Sequence, residues 1–342
     1  MVSLSAIPYF AFLSLRYAFR RFRPLPEWNY KLCLAVAMFR VYFRVLTATQ
    51  YQRAPQLTPG KAKERFALID PPADIFSGVL ASPTVKPAPV GVLWHPVRVQ
   101  PGAVDLAGKK VVLQLAGGHH IAGVMTRHFE ATSTLYVQYR LATPENRFPA
   151  ALQDAFTAYS YVLSLGVAPK DVFLSGDSAG GNLTIAMLRY LETPQAKLPL
   201  PGGAMLWSPW VKVTPDAGQE YHRFAASRVD LLFSPLLDWG ANAYIPRDVM
   251  HEAAPFISPL HHPFQTRTPL FIQARASEAF YPLIRSFAEE LSAVESNRVR
   301  FHESELAPHD IFLSHSLLGI TAQVEAAVDD ARDFFENIPH VA

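Results

Sequence analysis

The chain has 342 residues, half of them hydrophobic and only 18% charged, a balance that excludes a mainly disordered polymer and leaves ample apolar sequence for a core. A net charge of +2 gives no basis for a nucleic-acid partner, and a single cysteine, Cys33, excludes an intramolecular disulfide. No Cys/His cluster has zinc-ligand spacing, so no metal is expected.

Charge is unevenly placed along the chain. Residues 1–50 hold seven of the 31 basic groups and one of the 29 acids, leaving 24 basic and 28 acidic groups in the rest. Val2 to Leu15 is an uncharged run of 14 residues, short of the roughly 20 that a membrane-spanning helix needs. Its arginines follow the apolar run instead of preceding it, unlike a secretory signal. The i, i+4, i+7 spacing of Arg16, Arg20 and Arg23 predicts one basic helical face, ended by Pro24 and Pro26. A second apolar helix is predicted over Tyr30 to Leu46. Two roles compete for residues 1–46: peripheral contact with a membrane surface, arginines toward the headgroups, or a cover over a globular body and its active-site mouth. A signal-anchor is a third. The expected location is intracellular, in the cytoplasm or at a membrane surface, and the oligomeric state stays open, a homodimer included.

From about residue 75 the pattern changes. Short β-rich runs occur at Gly91–Trp94, Lys110–Leu115, Thr134–Tyr139, Val172–Ser175, Ala204–Trp207, Leu270–Ala274 and Val299–His302. Helical spacing covers Ala150–Leu165, Ala179–Leu191 and Tyr281–Ala293. Apolar strands alternating with helices predict an α/β domain with a mostly parallel sheet covered on both faces. The aromatic stretch from Pro209 to Thr268 is too long for a simple loop and reads as a lid between two strands.

Gly176-Asp-Ser-Ala-Gly180 places Ser178 at the centre of a Gly-x-Ser-x-Gly pattern between a predicted strand and a predicted helix. On such a strained turn Gly176 and Gly180 lack side chains so that strand and helix can approach, and the serine hydroxyl points out beside a helix N-terminus. Lys110–Leu115 runs into Ala116-Gly117-Gly118-His119-His120. The backbone N–H groups of Gly117, Gly118 and Ala179 are candidates for an oxyanion hole.

Gly176-Asp-Ser-Ala-Gly-Gly-Asn182 resembles the nucleophile elbow of the hormone-sensitive-lipase-like esterases, the third group of α/β-hydrolase-fold enzymes. Tyr139-Arg-Leu-Ala-Thr-Pro-Glu145 with Phe148-Pro-Ala150, Ser208-Pro-Trp-Val211 and Pro255-Phe-Ile-Ser-Pro-Leu260 are similar to further segments of that family. The likeness spans about residues 90–335. It implies an α/β-hydrolase fold, a mostly parallel central sheet flanked by helices, and a helical cap made of the N-terminal helices and the insertion at about 209–268. Residues 1–70 are then expected to hold the N-terminal helices and 71–342 the hydrolase domain. Departures from the pattern are Ala116 where the family has His, His119 at its third Gly, an inserted Thr143, and an acid strand reading Ala274-Arg-Ala-Ser-Glu278.

Chain order in this fold is serine, acid, histidine. Glu278 is the first carboxylate after the Leu270–Ala274 strand and matches the family's acid. Its alternative role is that of an acid at the start of the following helix. His309, in Ala-Pro-His-Asp-Ile-Phe, stands where the family has its base. His302 and His315 are fallbacks, and Asp310 is a rival acid that sits too close to His309 in sequence to reach its imidazole. His119, His120 and Trp210 are candidate substrate contacts. The resemblance implies a cofactor-free serine hydrolase acting on an apolar small-molecule ester or lactone, with specialised metabolism as a suggestion from fungal relatives. A cyclase or condensation catalyst using the same site, and a receptor that has lost its chemistry, are the alternatives.

Overall fold

Apolar runs and helical spacings assemble into an eight-stranded sheet of order β1-β2-β4-β3-β5-β6-β7-β8. The computed structural model describes residues 2–52, 54–55, 57–99, 108–115, 120–248, 251–304, 309–310, 312 and 315–338. Helix α1 (Val2–Ala18) and helix α2 (Tyr30–Thr49) precede β1 (Phe66–Ile69) and β2 (Val90–His95). Then follow β3 (Val111–Leu115), α3 (His120–His128), β4 (Ser133–Gln138), α4 (Ala150–Ser164), β5 (Val172–Asp177), α5 (Ala179–Leu191) and β6 (Gly203–Trp207). The insertion carries α6 (Ala217–Arg223), α7 (Ser234–Tyr244) and α8 (Ala254–Ile257). Strand β7 (Leu270–Arg275), α9 (Tyr281–Ser292), β8 (Val299–Ser304), α10 (His315–Leu318) and α11 (Thr321–Glu336) complete the chain order.

From β4 onward across the sheet every pairing is parallel; β1 and β2 are antiparallel additions at one edge. The central strands are buried on both faces, as continuous apolar runs require. Alternate residues point to opposite layers. Ala204 and Leu206 join α4, α5 and α9 in one core, whereas Met205 and Trp207 join α3 and α11 in the other. All seven predicted strands are present. Strand β1 escaped the sequence reading, and because it pairs with β2 the sheet begins at Phe66, before the expected boundary at residue 70. Four residues on an edge carry too little periodicity to stand out.

The N-terminal expectation needs a further correction. Helix α1 stops at Ala18, so Arg16, Arg20 and Arg23 do not share one continuous helical face. The Arg23 guanidinium turns back to the carbonyls of Tyr17 and Trp28, at 2.9 Å each, and satisfies the end of the helix. Helix α2 starts on an Asn29 cap, whose Oδ1 accepts from the Leu32 N–H at 2.8 Å. By length and composition α2 resembles a membrane span. Its first half, however, buries Leu32, Cys33, Ala35 and Val36 against Leu231 of the insertion and against Leu318 and Ile320. The Leu32 and Val36 side chains contribute about 2 kcal/mol each, and this half of α2 is packed on the insertion and the α10 region.

Candidate active site

Strand β5 and helix α5 meet at Ser178, which adopts φ 52°, ψ −114°. A Cβ on Gly176 would lie 2.2 Å from the Gly180 carbonyl oxygen, so only glycine permits this close turn. The second tight contact is at Gly181, where a Cβ would stand 2.8 Å from the Pro209 ring. Backbone bonds lock the turn from both sides. The Ser178 N–H donates to Trp207 O, and the Trp210 N–H donates to Ser178 O, both at 2.9 Å. Ala179 opens α5, where the first N–H groups of a helix have no intrahelical acceptor.

Three loops at the carboxyl ends of the strands bring Ser178, His309 and Glu278 into one chain of hydrogen bonds. Ser178 Oγ is 2.7 Å from His309 Nε2, and His309 Nδ1 is 2.8 Å from Glu278 Oε2. The other carboxylate oxygen, Oε1, accepts from the Arg275 N–H at 2.9 Å and from the Ser208 hydroxyl at 3.1 Å. Both members of the His309–Glu278 pair are almost completely buried. Burial alone would lower the basicity of His309; the hydrogen bond and charge of Glu278, with the charges of Asp230 and Asp310, outweigh it and raise the imidazole above its ordinary value. The fallback histidines are engaged elsewhere, His302 with Asp330 at 2.7 Å and His315 with Thr321 at 3.1 Å.

As expected, the group hydrogen-bonded to the imidazole is Glu278 and not Asp310. Its Oδ1 accepts the Phe312 N–H at 3.1 Å, and its carboxyl meets that of Asp177, the residue before the nucleophile. Burial, and then the Asp310 carboxyl, hold Asp177 well above the usual carboxylate range. Gln114 Nε2 donates to its Oδ1 at 2.9 Å. Arg275, fully buried at the end of β7, is depressed by burial to about 9 and has Glu278 and Asp310 for charged neighbours.

Sequence reasoning missed the structural duties of Asn182 and Arg140, although both stand in the quoted motifs. Asn182 Nδ2 donates to Trp210 O and Ile257 O, at 2.9 Å each, tying α5 to both ends of the insertion. Arg140 makes a forked pair with the buried Asp154 and also donates to Lys86 O and Ala150 O. It thereby fixes the 139–149 loop beside the serine. Arginine and asparagine at fixed offsets from the motif were a signal, but their partners lie across the fold.

A cavity of about 150 Å³ has a lining that includes Tyr139, Leu141, Leu183, Trp210, Tyr244 and Ala179, the residue after Ser178. Trp210, expected as a substrate contact, is among the lining residues, with its ring stacked on Phe280 at 6.2 Å. A larger cleft of about 790 Å³ is bordered by residues such as Val79, Pro144 and Arg247; neither lining includes Ser178, Glu278 or His309, and only the smaller one includes Ala179. Gly117, Gly118 and His119 lie outside the described residues. His120 begins α3. Among the described residues no group of His, Cys, Asp and Glu has the arrangement of a metal site.

A family model described as alpha/beta hydrolase fold matches residues 111–313, more than half of the chain. The chain belongs to the α/β-hydrolase fold family. An esterase of Acinetobacter venetianus is 29% identical over 222 residues, covering 61% of this chain and 69% of that protein. An acetyl-hydrolase of Streptomyces hygroscopicus is 32% identical over 204 residues, covering 57% of this chain and 65% of the relative. The chain thus spans about two thirds of these relatives' length. Among solved structures, an esterase of the bacterial hormone-sensitive lipase family aligns with a TM-score of 0.58 at 22% identity, over 90% of this chain and 97% of that one. An esterase of the archaeon Pyrobaculum calidifontis aligns with a TM-score of 0.63 at 17% identity, over 96% of each chain. Within the family the protein is a carboxylic ester hydrolase, like the curated esterase and acetyl-hydrolase it resembles, and it shares its fold with the two solved esterases.

Proposed function

We propose that the protein cleaves a carboxylic ester or lactone of an apolar small molecule through an acyl-enzyme on Ser178. The hydrogen-bond chain from Ser178 through His309 to Glu278 carries this reading. His309 takes the Ser178 proton as Oγ attacks the carbonyl carbon, then returns it to the departing alkoxide, and the cycle repeats with water. Glu278 orients the ring and stabilises the imidazolium. The Ala179 N–H, joined by Gly117 and Gly118, receives the oxyanion, each such donor contributing about 3 kcal/mol in the transition state.

The cavity lined by Ala179 supports a compact apolar acyl group, since about 150 Å³ is the size of a cavity that takes up benzene. Hydrolysis of p-nitrophenyl acetate through octanoate tests this: turnover should peak at short chains, and Ser178→Ala should lower kcat by about 10⁴-fold or more with the fold intact. Near-wild-type turnover by Ser178→Ala would remove the nucleophile from its role. Labelling of Ser178 by a fluorophosphonate without any ester turnover would move cyclisation or condensation to the front.

Intracellular residence at a membrane surface belongs to the same proposal. Ile7, Phe12, Leu15, Phe19 and Phe22 of the N-terminal segment are exposed alongside Arg16, Arg20 and Arg21, a combination suited to anionic headgroups over acyl chains. A homodimer would bury the same apolar face.

A further inference from the structure

We infer that Asp230, in the insertion between β6 and β7, is a positioning residue that ties the base and acid loops to the cap through one buried carboxylate. This deepens the serine-hydrolase reading and rests on it. Asp230 is fully buried, yet no lysine or arginine side chain donates to its carboxylate among the described residues. Four neutral donors hold it instead. Oδ1 accepts the N–H of His309 at 2.9 Å and that of Leu231 at 2.7 Å. Oδ2 accepts the N–H of Ala279, next to Glu278, at 2.9 Å and the Tyr221 hydroxyl at 2.9 Å.

The two oxygens thus hold the backbone of the base on one side and of the acid's neighbour on the other, so the 2.8 Å separation of His309 and Glu278 is set partly from the cap. Arg40 of α2 fixes the other end of the same residue. Its guanidinium donates to the carbonyls of Asp230, at 2.9 Å, and Arg228, at 2.7 Å. Asp230 therefore links α2, at its own carbonyl, to the backbone of His309, at its carboxylate.

The carboxylate also acts through space. His309 faces Glu278 from the β7–α9 loop, Asp230 from the insertion and Asp310 from its own loop; beyond Asp310 lies the Asp177 carboxyl, and the buried cation Arg275 stands beside Glu278 and Asp310. The edge of Phe280 packs on the ring. The charge of Asp230, so close to the ring, favours the imidazolium that forms as Ser178 loses its proton.

The test uses the full chain, a soluble p-nitrophenyl ester, and active sites counted by fluorophosphonate. Asp230→Asn keeps the volume but removes the charge and puts an amide where an oxygen accepts. Expected is a 10- to 100-fold fall in kcat per titrated site with little change in KM, and a shift of the acidic limb of kcat/KM to lower pH. Tyr221→Phe removes one donor, leaves the charge less neutralised, and should shift that limb to higher pH. It decides the matter alone if Asp230→Asn does not fold. Two variants with the wild-type limb and rate per site would reduce Asp230 to a packing role and overturn the inference. Failure of the serine-hydrolase reading itself would be visible separately, as absent Ser178 labelling in the unmodified protein.

Discussion

The elbow around Ser178 and the cap that covers it are built on different physics. At the elbow, backbone meets backbone: Gly176 against the Gly180 carbonyl, Gly181 against Pro209, and Ser178 bonded at both its N–H and its carbonyl. Almost nothing there is left to side-chain choice except the hydroxyl. In the cap, side chains do the joining. Asn182 reaches both ends of the insertion, Arg40 grips the carbonyls of Arg228 and Asp230, and α2 rests on Leu231, Leu318 and Ile320. The nucleophile is held by geometry that tolerates no substitution. The pocket and its cover are held by contacts that can be exchanged while the elbow persists, which is how one scaffold serves many esters.

Attacking the hydrogen-bond chain that serves the elbow should give the larger effect. Glu278→Gln preserves shape but removes the charge and, with Oε1 held by two donors, turns an amide NH2 toward His309 Nδ1, so kcat should fall by about 10³- to 10⁴-fold in stopped assays. The sign of the pH effect follows from the same bond. Catalysis needs neutral His309, and Glu278 is the leading group that raises it, so the acidic limb of kcat/KM should move to lower pH in the variant. A limb that stays in place would transfer the raising effect to Asp230 and Asp310.

Cutting a side-chain tether should cost stability before chemistry. Arg140→Ala leaves the buried Asp154 carboxylate without its forked partner, an expected loss of about 3 kcal/mol in urea unfolding. Arg140→Lys should recover only part of this, because an ammonium cannot reproduce two parallel bonds. Full recovery by lysine would make charge, not geometry, the tether's working property.

The outermost layer should matter least to the reaction. Phe12→Glu with Leu15→Glu is expected to leave the hydrolysis of a soluble ester within about two-fold of normal while abolishing flotation with phosphatidylcholine–phosphatidylserine vesicles. Retained flotation would move the contact elsewhere. A drop in sedimentation mass without any vesicle effect would assign the face to a homodimer.

Much of the chemistry was legible from local pattern. A glycine-flanked serine between a strand and a helix has few other uses, and seven apolar runs of the right length marked seven strands of the sheet. His309 and Glu278 followed from chain order and resemblance. They could not follow from spacing, because 31 residues separate them and only the parallel register of β7 and β8 brings their loops together. Legibility failed wherever a partner was distant or a signal short. Strand β1 had four residues, α1 ended where Arg23 folded back, and the duties of Asn182, Arg140 and Asp230 depend on groups up to 190 positions away. Local sequence determined which segments form strands, helices and the strained turn, since those choices rest on side-chain period and backbone sterics over a few residues. Tertiary structure alone decided which buried carboxylate meets the histidine, which meets another carboxyl and which ties the cap down. Such pairings are settled by the packing of whole elements, and no short stretch of sequence encodes them.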